Sequence, residues 1–220
     1  MYGFRWERWS ALAGVLFVAL FMVGWSISEN GEDTSAKLQA YYTDSGHRTR
    51  EFVAFFLILA AGLAFLSFLG TLRAAVIRAE AGPGTLSGLV FGPGIVFVAL
   101  FLTGNAISRA PAALADEKHF KLDGNLAELC NDAGYMLIVS GVTIAAIMVL
   151  SVSMSALRTG ALPAWLGWAG LIVAVSMLFS IIFFPILIFL AWVLVVSLVM
   201  VVAAWRVSGA APPPTSTAVG

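Results

Sequence analysis

Apolar and polar positions segregate on the scale of whole segments rather than of single helical turns. Charge-free runs occupy 9–28, 52–72, 81–108, 133–157 and 159–205. A bilayer core about 30 Å thick is crossed by about 20 helical residues, so each of the first four runs predicts one transmembrane helix. The fifth would be about 70 Å long as a single helix. Pro185 lies near its middle, in Phe183-Phe184-Pro185. A proline in a first helical turn withdraws no hydrogen bond, which predicts a tight turn and then a last helix opened by Pro185. The fold class read this way is all-α, a polytopic transmembrane bundle of six helices spanning about 9–28, 52–73, 88–108, 132–156, 165–183 and 186–206. The alternative is five helices, with Pro185 a kink. The runs do not alternate as strands of an outer-membrane barrel would.

The segments between the runs are where structure outside the bilayer is expected. In 29–51, Asp33 or Thr34 can cap a short helix through Tyr42. Leu38, Tyr41 and Tyr42 would share a face that can rest on the membrane surface. Thr43-Asp44-Ser45-Gly46 then breaks the helix, and Asp44 or Ser45 can cap the second span. In 109–131, a short helix over 126–129 would lead into the fourth span. Too small for a core of their own, the two segments predict a cap resting on the helix ends. The tail 211–220, with Pro212-Pro213-Pro214, predicts a disordered end. Gly82-Pro83-Gly84 reads as a turn and Gly92-Pro93-Gly94 as a kink or loosening of the third span. Ala60/Ala64, Gly88/Gly92 and Gly141/Ala145 are small pairs at helical spacing that permit close helix contact, within one bundle or between copies. Most of the seven tryptophans fall near the expected interfaces, where the ring anchors a helix.

Composition narrows the class. The chain has 220 residues, 60% of them hydrophobic and 11% charged, with no net charge. Soluble domains are about a quarter charged. A cytosolic enzyme and a nucleic-acid binder are thereby excluded, and membrane lipid is the expected surrounding partner. The first run can also be read as a secretory signal, with Arg5 and Arg8 before it and Ser26-Ile27-Ser28 after it. Its length and the spans that follow favour a retained helix. Cationic residues divide equally between the two sides, so they do not orient the chain. Of twelve acidic residues, nine fall in the two long segments, Asp132 directly follows the second, and only Glu7 and Glu80 fall on the other side. Together with the length of those segments, this predicts both termini in the cytoplasm and the cap outside; the plasma membrane is the expected location.

The spans lack central Asp, Glu, Lys, Arg and His, the residues that mark ion pathways and proton relays. No pair of intramembrane histidines is present to hold a haem, and no cofactor motif appears. Cys130, the single cysteine, cannot form an internal disulfide or a CxxC pair. The polar groups that remain gather where the third span ends and the fourth begins. Asn105, Asn131, Asp132 and Tyr135 can line a shallow ligand pocket under the cap, with Arg109 paired to Asp132. The structural alternative is that Asp132 caps a helix and Arg109 snorkels. His47 and His119, with Asp44, Glu51, Asp116, Glu117 and Asp123, offer a remote divalent-metal site, without motif spacing. Two solvated histidines are the plainer reading.

Three segments together carry a family resemblance. They are Tyr41-Tyr42 with Gly46-His47-Arg48-Thr49-Arg50; Leu72-Arg73-Ala74-Ala75 through Gly84; and Ala156-Leu157-Arg158-Thr159-Gly160-Ala161-Leu162-Pro163-Ala164-Trp165-Leu166-Gly167-Trp168. On these the chain resembles a group of multi-pass membrane proteins common in actinobacteria and is distantly similar to the DUF4386 type. The resemblance implies a six-helix fold, without an activity or catalytic residues. Three functional readings follow. The first is a non-catalytic accessory or scaffold subunit, meeting a protein partner or a second copy through its small-residue faces. The second is a small-molecule or lipid carrier or sensor using the pocket under the cap. The third is an extracytoplasmic metal-dependent enzyme.

Overall fold

The structure, a computed structural model, describes residues 3–28, 34–80, 84–115, 117, 122–160, 162–182 and 184–209. Their regular elements are α1 (Gly3–Ile27), α2 (Ser35–Thr43), α3 (Ser45–Ala79), α4 (Thr85–Leu114), α5 (Gly124–Thr159), α6 (Ala164–Met177), a 3₁₀ turn (Ser180–Ile182) and α7 (Phe184–Gly209). Four of the helices are long and apolar enough to cross a membrane, at 45–79, 85–114, 124–159 and 184–205. The apolar segments Leu12–Ile27 and Ala164–Met177 are shorter. The tail 211–220, Gly82-Pro83 and His119 lie outside the described residues.

Local chemistry accounts for where the helices begin and end. The Asp44 carboxylate accepts a hydrogen bond from the Gly46 amide at 2.6 Å and so opens α3, and Asp123 does the same for α5 through the Asn125 amide at 3.2 Å. Glu80 reaches across the turn after α3 to accept from the Leu86 and Ser87 amides of α4 at 3.0 and 3.2 Å, where a carboxylate also complements the helix dipole. Gly160 closes α5 at φ +68°, a conformation glycine adopts without steric cost. Pro185 sits in the first turn of α7, as expected.

Helicity outruns hydrophobicity at several ends. α4 continues through Pro111 to Leu114, and α5 begins at Gly124, so the expected 109–131 loop is largely helix. The 126–129 stretch is continuous with α5 rather than a separate helix. Asp132 therefore lies inside α5, and the cap is Asp123. α4 also runs unbroken through Gly92-Pro93-Gly94, and the absent side chain of Gly94 is where Leu69 of α3 packs.

Neighbouring helices close a ring in the order α1, α3, α4, α5, α6, α7 and back to α1. The α4–α5 contact is close because Gly104 and Gly134 face one another. A Cβ on either would lie 2.6 Å from the other's carbonyl oxygen. Gly141 faces Phe97 and Leu100 in the same seam, so the Gly141/Ala145 pair packs inside the bundle. A Cβ at Gly88 or Gly92 would meet nothing within 4 Å, so that pair faces outward. Phenylalanines fill the ring's interior: Phe17, Phe65, Phe97, Phe101 and Phe189 are each at most 2% exposed. Their centroids are 4.8 Å apart for Phe17–Phe65, 5.0 Å for Phe65–Phe97 and 5.4 Å for Phe97–Phe189, within the range of edge-on attraction. An apolar gap between α1, α4, α5 and α7 has a volume of ≈ 10 Å³.

Helix α2 lies against α3 and α5. Leu38, Tyr41 and Tyr42 do share one face, but it is turned into the protein against Ala112 and Ala127. This corrects the expectation of a membrane-surface face. There the Tyr41 hydroxyl meets Glu51 and its ring meets His47, and Tyr42 is buried.

Candidate functional site

At the α2 end of the bundle, polar groups from four helical segments converge on one carboxylate. Glu51, in the second turn of α3, has no solvent exposure. Ser28, just past α1, donates its hydroxyl to the two carboxylate oxygens at 3.0 and 3.1 Å. The Tyr41 hydroxyl of α2 donates to Oε1 at 3.0 Å. From α4, Arg109 brings Nε to 3.4 Å from Oε2, and its side chain is only 10% exposed. The guanidinium also donates to Asn105 Oδ1 at 2.6 Å, while Asn105 Nδ2 donates to the Phe55 carbonyl of α3 at 3.3 Å. A buried carboxylate is tolerated only when a countercharge and donors replace its water. Here one cation and two hydroxyls supply that replacement.

The cluster has an outer layer. The His47 ring stacks on Tyr41 with centroids 4.2 Å apart and planes 8° from parallel, and His47 Nδ1 lies 3.2 Å from the Tyr41 carbonyl oxygen. Arg48 donates to the Tyr42 and Thr43 carbonyls at 2.9 and 3.0 Å, where a cation complements the C-terminus of α2. Gln39 donates to the Leu122 carbonyl at 3.0 Å. Together these contacts hold α2 down across the ends of α3 and α5.

Of the four residues expected to share a pocket, Asn105 and Tyr135 are directed to different neighbours. Asn105 is buried and turned to α3 and Arg109. Tyr135 donates its hydroxyl at 3.0 Å to the Ile181 carbonyl in the turn between α6 and α7. Asn131 is half-buried and Asp132 exposed. The partner of Arg109 is Glu51 rather than Asp132, because α3 and α4 run antiparallel and bring those two ends together. Neither snorkelling nor the Asp132 pair describes Arg109. Of the two histidines, His47 belongs to the cluster's outer layer. Among the described residues, no group of three or more His, Cys, Asp or Glu side chains gathers as metal ligands would.

Sequence reasoning passed over Glu51, Tyr41 and Ser28 as a set. The available signal was positional. Glu51 and Arg109 each stand beside a charge-free run, at ends that successive antiparallel spans place on one side. A second polar contact, between α5 and the turn after α6, was equally unanticipated. Ser180 Oγ lies 2.9 Å from Thr143 Oγ1 and donates to the Val139 carbonyl at 3.2 Å.

Comparison with protein-family models, with curated proteins and with solved structures finds no match to the chain.

Proposed function

We propose that the chain is a plasma-membrane protein of six spans, with both termini cytoplasmic and α2 as part of an external cap. It works by association, as an accessory or scaffold subunit, rather than by catalysis. The observation that carries this reading is where the chain uses its chemistry. Phe17, Phe65, Phe97, Phe101 and Phe189 fill its own interior, and the buried Glu51 and Arg109 are committed to each other. Large apolar side chains such as Ile172, Val175 and Trp168 are left on the outside. Outward-facing Gly88 and Gly92 on α4 let another helix approach closely. A carrier or sensor would need a cavity of about 300 Å³ or more. The gap of ≈ 10 Å³ is on the scale of one water molecule. An external enzyme built on His47 would have to give up its stacking on Tyr41.

Extraction into native lipid particles tests the reading. A stoichiometric second protein, or a homo-oligomer cross-linked through Gly92→Cys in a Cys130→Ser background, is expected. A monomer without partner and without cross-link would remove it. Reporter fusions after Arg78 and after Lys121 test the orientation, with Arg78 expected inside and Lys121 outside.

A further inference from the structure

The connection between α6 and α7 is unlike the others. α6 has 14 residues, a rise of about 21 Å, against a hydrocarbon core of about 30 Å. No charged residue occurs anywhere in 159–205, so the turn carries nothing that seeks water. Its described apolar side chains project outward: Leu178, Phe179, Ile181, Ile182 and Phe184 are 59–68% exposed.

Contacts with α5 give the depth of this turn. Ser180 bonds to Val139 and Thr143, and Ile181 to Tyr135. These α5 residues lie inside the charge-free run 133–157. From Asp132, Val139 is about 10 Å and Thr143 about 16 Å along the helix. The opposite end gives a consistent measure. Trp165 and Trp168 of α6 are 58% and 63% exposed and are placed as interfacial anchors. From Trp165 to Ser180 the rise is about 22 Å, which stops roughly 8 Å short of the far side of the core.

Backbone polar groups at such a depth must be satisfied by protein, and four of the described groups of this turn are. The amides of Leu178, Phe179 and Ile182 donate to the Val175, Ser176 and Phe179 carbonyls at 3.2, 2.9 and 3.1 Å. The Tyr135 hydroxyl occupies the Ile181 carbonyl, and the Ser180 hydroxyl spends itself on α5.

We infer that the α6–α7 turn does not emerge from the membrane but stays submerged in the hydrocarbon of the leaflet on the α2 side, with lipid acyl chains as its partner. Tyr135, Thr143 and Val139 of α5 form the polar ledge that lets it stop there. The bilayer over this turn then meets an apolar tip instead of a headgroup-level loop. This inference rests on the membrane reading above.

Nitroxide labels at Phe179→Cys and Ile182→Cys, in a Cys130→Ser background reconstituted into phosphatidylcholine bilayers, test it. Collision with oxygen, which partitions into hydrocarbon, is compared with collision with a water-soluble nickel chelate. Asp132→Cys serves as the expected aqueous reference and Leu198→Cys as the hydrocarbon reference. The expected result is oxygen-dominated relaxation at 179 and 182, of the same sign as at 198. Nickel-dominated relaxation at both turn positions, with 198 still oxygen-dominated, overturns the submerged turn and leaves the span intact. Shielding from both reagents overturns it in favour of a protein covering the tip. Nickel-dominated relaxation at 198 as well would bring down the membrane reading itself.

Discussion

Replacing Glu51 by alanine leaves the Arg109 guanidinium buried without its countercharge and removes the acceptor for the Ser28 and Tyr41 hydroxyls. Removing one partner of a buried ion pair costs about 3–5 kcal/mol. Because the cluster lies near a helix end, where the long arginine side chain can reorient toward headgroups, the lower figure, about 3 kcal/mol, is expected. For a chain of this size that corresponds to a fall in Tm of about 6–12 °C, read from thermal unfolding in a single mild detergent. Glu51→Gln keeps an acceptor for the hydroxyls but loses the charge, and should fall between alanine and wild type. The decisive comparison is a double-mutant cycle. Glu51→Met with Arg109→Met removes both charges and restores apolar packing, which is often close to neutral for a buried pair. The double variant should therefore lose at least about 2 kcal/mol less than the sum of the two single variants. Single variants within about 1 °C of wild type, or strictly additive losses, would refute the view that this pair holds the α2 end together.

The remaining predictions concern other parts of the fold. Tyr41→Phe removes one hydrogen bond to a charged acceptor, worth about 1.5–3 kcal/mol; amide exchange should quicken in α2 while the middle of α5 is unchanged. Gly134→Val forces side-chain atoms into Ser108 and the Gly104 carbonyl, and overpacking of about 1–3 kcal/mol should lower thermal stability. Gly88→Val meets open space and should leave the stability of the single chain unchanged while weakening the cross-link through Gly92→Cys. Phe97→Ala empties the centre of the aromatic cluster and should cost about 3–5 kcal/mol; recovery of that loss on adding a small apolar solute such as benzene would show that the cavity stays open and dry.

Much of the helical content was legible from the charge-free runs, because an apolar segment in hydrocarbon must satisfy its backbone internally and a helix does so. Asp44 as the cap of α3 and Pro185 in the first turn of α7 were legible for local reasons, a carboxylate beside free amides and a ring that needs no donor. The grouping of Leu38, Tyr41 and Tyr42 on one face followed from helical spacing alone. Helix ends were less legible. Backbone hydrogen bonding carries α4 to Leu114 and α5 back to Gly124, past the residues where hydrophobicity stops.

Tertiary structure decided what each apolar or charged residue meets. Phe97 is buried in the aromatic centre and Phe184 is 67% exposed, yet both sit in uninterrupted apolar runs. In water a helix advertises its inner face by contrast with a polar outer one. A helix in lipid has apolar neighbours on both sides, so the contrast is erased. Charges at the ends of runs carry the same ambiguity, since a solvated Glu51 and a buried one look alike along the chain. The antiparallel course of α3 and α4 brings Glu51 to Arg109, and the docking of α2 closes Tyr41 over them. By itself the sequence determined a class and its helices, through the cost of charge in hydrocarbon. Which apolar surfaces are buried and which are left outside was decided by packing, because transfer free energy does not distinguish one apolar surrounding from another.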